Sequence, residues 1–227
     1  MADGFTVQLN DPERAVVTIG SSSRRRLTRK QRFTLAHEIA HTLVYDLACS
    51  PPLEMPQILS LIDELRGRER ASGLEDFCQI AAGVLLVSPK DLKREAGRGG
   101  VASVESLLRL ADTFKVSAEV LIHRVAQTTE DEGIRANNYA VLMVAPERGK
   151  GQIRACIYSP SLRCAVTPPR LYTSFKHWAK RNSLSSAILT ATGGNWEVRV
   201  PSGFLKIQKT PYGTTPGAWL LDMTLVQ

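Results

Sequence analysis

At 227 residues, with 43% apolar and 22% charged side chains, the chain has the balance of an ordinary soluble protein and is long enough for one large or two small domains with real cores. Apolar stretches such as Ile80 to Val87 and Ala140 to Ala145 are too short to span a bilayer, and MADGFTVQLNDPER lacks the basic start and apolar run of a secretory signal, so a cytoplasmic protein with no membrane partner is expected. Cys49, Cys78, Cys156 and Cys164 form no C-x-x-C pair, which argues against a structural zinc knuckle and for free thiols. The net charge of +7 is concentrated in Arg24, Arg25, Arg26, Arg29, Lys30 and Arg32, with Arg66, Arg68 and Arg70 further on. Such runs are ordinarily solvated faces; the sharper reading of Arg24 to Arg32 is contact with nucleic acid or an acidic partner.

In chain order, Phe5 to Leu9 and Ala15 to Ile19 are β-prone runs separated by Asn10, Asp11 and Pro12, which predicts a small hairpin. The stretch Thr28 to Leu47 follows. Thr28 with Gln31 has the form of a capping box, so a helix starts near Arg29, and Pro51 and Pro52 prevent it from running far past Ala48. Within it lies His37-Glu38-Ile39-Ala40-His41. At about 100° per residue the two histidines stand only about 40° apart on the helix surface, so both imidazoles can reach one metal ion. Glu38 projects about 100° away from His37, awkward for a ligand but suited to a general base acting on water at that ion. Leu35, Ile39, Leu43 and Leu47 fall on the opposite arc beside Ala36 and Ala40, which predicts a core face there and a cleft on the histidine side. Tyr45, one turn past His41, is read first as a shield of that cleft and second as a hydrogen-bond donor to an oxyanion.

Two histidines are an incomplete catalytic zinc site, which needs a third protein ligand and an open position. After a second helical stretch opened by Pro56, with Ile58, Leu61, Ile62 and Leu65 at helical spacing, the candidates come from SGLEDFCQIAAGVLLVSP at Ser72 to Pro89. Its helical face of Leu74, Cys78, Ala81, Ala82 and Leu85 is small-sided and invites a close neighbour. Glu75, in the first turn, is the third-ligand candidate, with Asp76 as the alternative. Ser72-x-x-Glu75 is equally a capping box, in which case Glu75 only satisfies its own helix end.

The combination RFTLAHEIAH at Arg32 to His41, E-x-x-C-x-x-x-A at Glu75 to Ala82 and LLVSP at Leu85 to Pro89 resembles the ImmA/IrrE family of zinc metallo-endopeptidases, over roughly the first half of the chain. The resemblance implies a zincin-like core, His37, His41 and Glu75 as metal ligands, and Glu38 as general base. It favours Glu75 over Asp76, because Cys78 and Ala82 then take the family's small-residue positions. It also implies a protein substrate, a helix-turn-helix repressor of the Xre type, whose cleavage releases a stress-response or mobile-element programme. Zinc is the expected cofactor, with manganese as the substitute.

Arg94 to Ser103 reads as a Gly-rich connection. Ser103 and Ser117 can each cap a short amphipathic helix, the first with Val104, Leu107, Leu108, Ala111 and Phe114, the second with Val120, Leu121 and Val125. The pair has helix-turn-helix form, but its second helix offers only Glu119, His123 and Arg124 as polar side chains, so packing on the peptidase core is preferred to reading DNA. Gln127 to Asn138 is a polar, acidic linker, and beyond it Tyr139 to Val144, Gln152 to Tyr158, Trp196 to Val200 and Ala218 to Val226 read as strands, with a helix within Leu171 to Arg181. Trp178, Trp196, Tyr212 and Trp219 are read as core.

The expected fold is therefore α+β: a mainly helical core over 1–93 with its hairpin, a helical pair over 94–126, a linker over 127–138 and a strand-rich domain over 139–227, which by analogy with some family members is a GAF-like sensor or partner-binding module. The leading function is a zinc endopeptidase, in which activity falls in acid as the histidines protonate. The alternatives are a non-catalytic regulator with a structural metal site and a DNA-binding protein led by the helical pair.

Overall fold

A computed structural model describes residues 4–8, 15–19, 26–49, 72–97, 100–127, 139–147, 150–159, 162, 165–184, 188, 191–200, 202–212 and 218–226, with backbone alone at 4–8, 15–19, 44–49, 72–73 and 150. The helix expected after Pro56, the basic run from Arg66 to Arg70 and almost all of the 127–138 linker lie outside the described residues. The chain divides into two compact units, Met1–Ser88 with Phe114–Ser117, and Pro89–Thr113 with Ala118–Gln227. Helices combine with purely antiparallel strand pairs, an α+β fold. Among the described residues no helix is long and apolar enough to cross a membrane.

In the first unit, β1 (Gly4–Gln8) and β2 (Ala15–Ile19) form an antiparallel hairpin that runs from Gly4 opposite Ile19 to Gln8 opposite Ala15, and both strands lie against α1 (Arg29–Cys49). The capping box at the start of α1 is formed in both directions. Thr28 N–H donates to Gln31 Oε1 at 2.9 Å, and Gln31 N–H donates to Thr28 Oγ1 at 3.2 Å. Against α1 packs α2 (Ser72–Leu86). Ala40 and Cys78 are fully buried where they meet, with Leu74, Phe77 and Ala81 around them.

This contact corrects the expected core face of α1. Ile39 and Leu43 are exposed, as is Leu85 on α2, whereas Ala36 and Ala40 are the buried positions. Small side chains on both helices let the backbones approach, and close packing there recovers more dispersion contact than the larger residues on the neighbouring arc could reach. The buried stripe of α1 thus runs beside the histidines.

Pro89 stops α2 and starts α3 (Pro89–Ala96), a helix absent from the sequence reading, which has a Gly-rich connection from Arg94 onward. Both end signals are in the sequence: proline at the first helical position, and Gly97 at a φ of +66° just past the end. The helical pair is α4 (Val104–Phe114) and α5 (Ala118–Ala126), joined through Lys115 at a φ of +55°. Ser103 Oγ accepts from Ser106 N–H at 3.1 Å, so it caps α4 as expected.

The second unit is built on a five-stranded sheet in the order β4-β3-β7-β6-β5, with β3 Tyr139–Glu147, β4 Lys150–Tyr158, β5 Gly194–Val200, β6 Gly203–Pro211 and β7 Trp219–Val226. Strand β6 is missing from the sequence reading although it lies between β5 and β7. One face of the sheet carries Leu142, Val144, Leu205, Ile207, Leu221 and Met223 against Phe175 and Trp178 of α6 (Phe175–Arg181), and Trp196 and Trp219 pack at the margin of that core. Burying these side chains contributes about 1.5–3 kcal/mol each. The other face is covered over β4, β3 and β7: Tyr139, Val141, Met143 and Leu220 are buried there too, and α5 lies along β4. That double cover explains the near-continuous apolar run YAVLMV in β3.

The helical pair is tied to this sheet. Val104 N–H donates to Asp222 on β7 at 3.2 Å, and Ala118 N–H donates to the Tyr212 hydroxyl at 3.1 Å. By contact, Pro89–Thr113 and Ala118–Ala126 group with the sheet in the second unit. The reason is a set of polar contacts far apart in sequence, invisible to local periodicity.

Candidate metal centre

A separation of four residues on α1, about one helical turn, and the start of α2 bring three side chains to one point. His37 Nε2 lies 3.1 Å from Glu75 Oε2, His41 Nε2 lies 3.3 Å from Glu75 Oε1, and the two Nε2 atoms are 3.2 Å apart. Ligand atoms from His37, His41 and Glu75 all fall within 4.8 Å of one another. The helices are held at this distance by Ala40 and Cys78, so the small-residue contact sets the site's geometry.

The spacing fits a cation. Bonds of about 2.0–2.1 Å to a tetrahedral ion place its ligands about 3.3–3.4 Å apart, close to the separations found here. The donor set agrees as well: two imidazole nitrogens and a carboxylate converging on one point are a common ligand set for a divalent ion. His37 and His41 are 16% and 17% exposed while Glu75 is 51% exposed, so the cluster opens to water on the Glu75 side. Both Glu75 oxygens face histidines, and the carboxylate is thus engaged with α1.

Asp76, the alternative ligand, is exposed on α2 and is not one of the three converging residues. Glu38 is half-buried on α1, near enough to Cys78 for its charge to act there. Burial, then Glu75, then Glu38 push the Cys78 thiol up to about 11, so it stays protonated at neutral pH. Tyr45 lies on α1, but its side chain is outside the described residues. Arg26, Arg29 and Lys30 of the basic run are exposed, Arg32 is half-buried, and Arg24 and Arg25 are outside the described residues.

One neighbour escaped the sequence reading. The ring of Phe33 lies 6.5 Å from that of His37, which stands 4.8 Å from the His41 ring. Phe33, His37 and His41 recur every four residues, the spacing that already paired the histidines, and the same rule would have found the aromatic wall. His37 Nδ1 is buried without a hydrogen-bond partner, so its ring is held by packing on this side.

Comparison with known proteins places the chain in a family. The chain is 34% identical over 146 residues to the radiation response metalloprotease IrrE of Deinococcus deserti, a match that covers 63% of this chain and 45% of that protein. It is 31% identical over 120 residues to the protein of the same name from Deinococcus radiodurans, covering 52% of this chain and 33% of that one. The chain therefore spans less than half the length of these curated relatives. A solved structure described as a Mycobacterium tuberculosis transcriptional regulator covers 93% of this chain and 59% of its own at 16% identity and a TM-score of 0.48, too weak a likeness to carry weight. The Peptidase_M78 family, described as the IrrE N-terminal-like domain, matches residues 8–126, which hold His37, His41 and Glu75 alike. On that match the chain belongs to the IrrE-like family of metallopeptidases.

Proposed function

We propose that the chain is a zinc-dependent endopeptidase, with His37, His41 and Glu75 as metal ligands and Glu38 as the general base, on a zincin-like first unit. The observation that carries this reading is the convergence of the His37, His41 and Glu75 ligand atoms at tetrahedral spacing. Zinc is preferred to manganese because two imidazoles and one carboxylate are its common catalytic set. When bound, the ion supplies Lewis acidity, which acidifies water and polarises a peptide carbonyl. Glu38 accepts the proton that the attacking water gives up and delivers it to the departing amine. Phe33 walls the His37 side, while the open Glu75 side leaves room for a peptide.

The substrate is proposed to be a protein, a helix-turn-helix transcriptional repressor, cut within a stress-response switch. Support for the setting is indirect: the two Deinococcus relatives carry names that join metalloprotease to radiation response. The test is cleavage of candidate repressors by the zinc-loaded chain. Glu38→Gln should keep the metal and lose at least about a hundredfold in rate, as removal of a general base does. Cleavage by Glu38→Gln at the wild-type rate would sink the assignment.

A further inference from the structure

The second unit holds a groove of about 550 Å³ that the peptidase reading does not use. It forms where the helical cover of the sheet stops at β7 and leaves β6 and β5 open, with Ala102 and Ser103 before α4 as one wall. Its size suits a small metabolite. The strand register lays its floor out in two rows. Asn195, Gln208 and Asp222 stand opposite one another across β5, β6 and β7, and Glu197, Lys206 and Thr224 form the next row. Directly opposed residues on one face stand about 4.5–5.5 Å apart at Cβ, so each row is a continuous set of hydrogen-bonding groups.

Asp222 is the unusual member. It is only 8% exposed, yet it lines the groove. Its Oδ2 accepts from Val104 N–H at 3.2 Å and from the Tyr139 hydroxyl at 3.4 Å. Those two bonds explain an acceptor at this place; they do not explain a carboxylate, because an asparagine oxygen would accept both without the cost of burying a charge. Burial, aided by Glu105, pushes the Asp222 carboxyl up to about 6, against the two hydrogen bonds that lower it. A cation seated in the groove would remove that cost.

We propose that this groove binds a small polar molecule through a primary ammonium group placed on the Asp222 carboxylate, with Gln208 and Ser103 accepting its remaining hydrogens. Two sources share that chemistry. In an α-amino acid, the carboxylate at the other end meets Lys206; in a polyamine, the second ammonium meets Glu197. The inference does not depend on the metal site.

Binding is measured on the full chain by saturation-transfer NMR and thermal shift, with the common L-amino acids in one arm and putrescine and spermidine in the other. One class is expected to bind, with affinity at least about tenfold weaker in Asp222→Asn, as for loss of a charged hydrogen bond. Gln208 is exposed, so Gln208→Ala keeps the fold and should weaken binding as well. Loss in Lys206→Ala identifies the amino acid, and loss in Glu197→Gln identifies the polyamine. His37→Ala should bind as wild type does, which separates this inference from the peptidase reading. No binding in either arm, or binding unchanged in Asp222→Asn, overturns the proposal.

Discussion

The metal centre and the sheet groove are both clusters of polar side chains, but the chain assembles them in different ways. His37 and His41 are one helical turn apart, and the packing of α1 on α2 around Ala40 and Cys78 brings Glu75 to them. The groove takes residues from three strands and the start of a helix, and Asp222 meets Val104 across 118 positions of sequence. A site written mostly in one helix survives errors in the rest of the fold; a site written in strand register exists only if every pairing is right.

The groove is where a single substitution should move stability most. The folded-state carboxyl of Asp222 is raised from 3.8 to about 6, so between those pH values the folded chain keeps a proton that the unfolded chain has lost. Stability from this group is therefore greatest in acid and falls as pH rises through that window, with Glu105 on α4 and Tyr139 on β3 facing the same carboxyl. Asp222→Asn should gain on the wild type by up to about 3 kcal/mol as the pH rises from 3.8 through about 6, measured by denaturant unfolding at each pH. A difference between the two proteins that does not change with pH would contradict the burial of that charge.

At the metal centre, the same comparison is sharpened through the helix contact. Ala40 is fully buried, and Ala40→Leu should cost about 1–3 kcal/mol by overpacking while it pushes Glu75 away from the histidines. Zinc affinity should fall together with stability. If stability falls and zinc affinity does not, the small-residue contact does not set the site. The smallest effect is expected at Gly97, where a φ of +66° with open space around it predicts a loss of about 1–2 kcal/mol for Gly97→Ala through backbone strain alone.

Legibility in the sequence followed the same division. The capping box at Thr28 and Gln31, the histidine spacing and the start of α4 at Ser103 are local patterns, and each has its counterpart in the structure. The burial of α1 departs from the pattern of its larger apolar residues, Leu35, Ile39 and Leu43, because α2 selects the arc with Ala36 and Ala40. Strand β6 alternates cleanly, Phe204, Lys206 and Gln208 outward and Leu205 and Ile207 inward, but Lys209 stands at an inward position and masks the pattern. The sheet accommodates that lysine. Its Nζ donates to Ile188 O at 3.0 Å and Ala191 O at 2.7 Å and lies 4.3 Å from the centre of the Trp219 ring, while burial lowers its pKa. No local rule could have supplied those partners, nor the attachment of the helical pair to β7.

The central claim is that the three converging side chains hold an ion. Elemental analysis of the wild type, His37→Ala, Glu75→Ala and Asp76→Ala, purified identically without chelator, tests it most directly. The expected result is about one zinc per chain in the wild type and in Asp76→Ala, and its loss from His37→Ala and Glu75→Ala. A wild-type chain that takes up no metal after incubation with zinc, or one that keeps its zinc in Glu75→Ala, would contradict it.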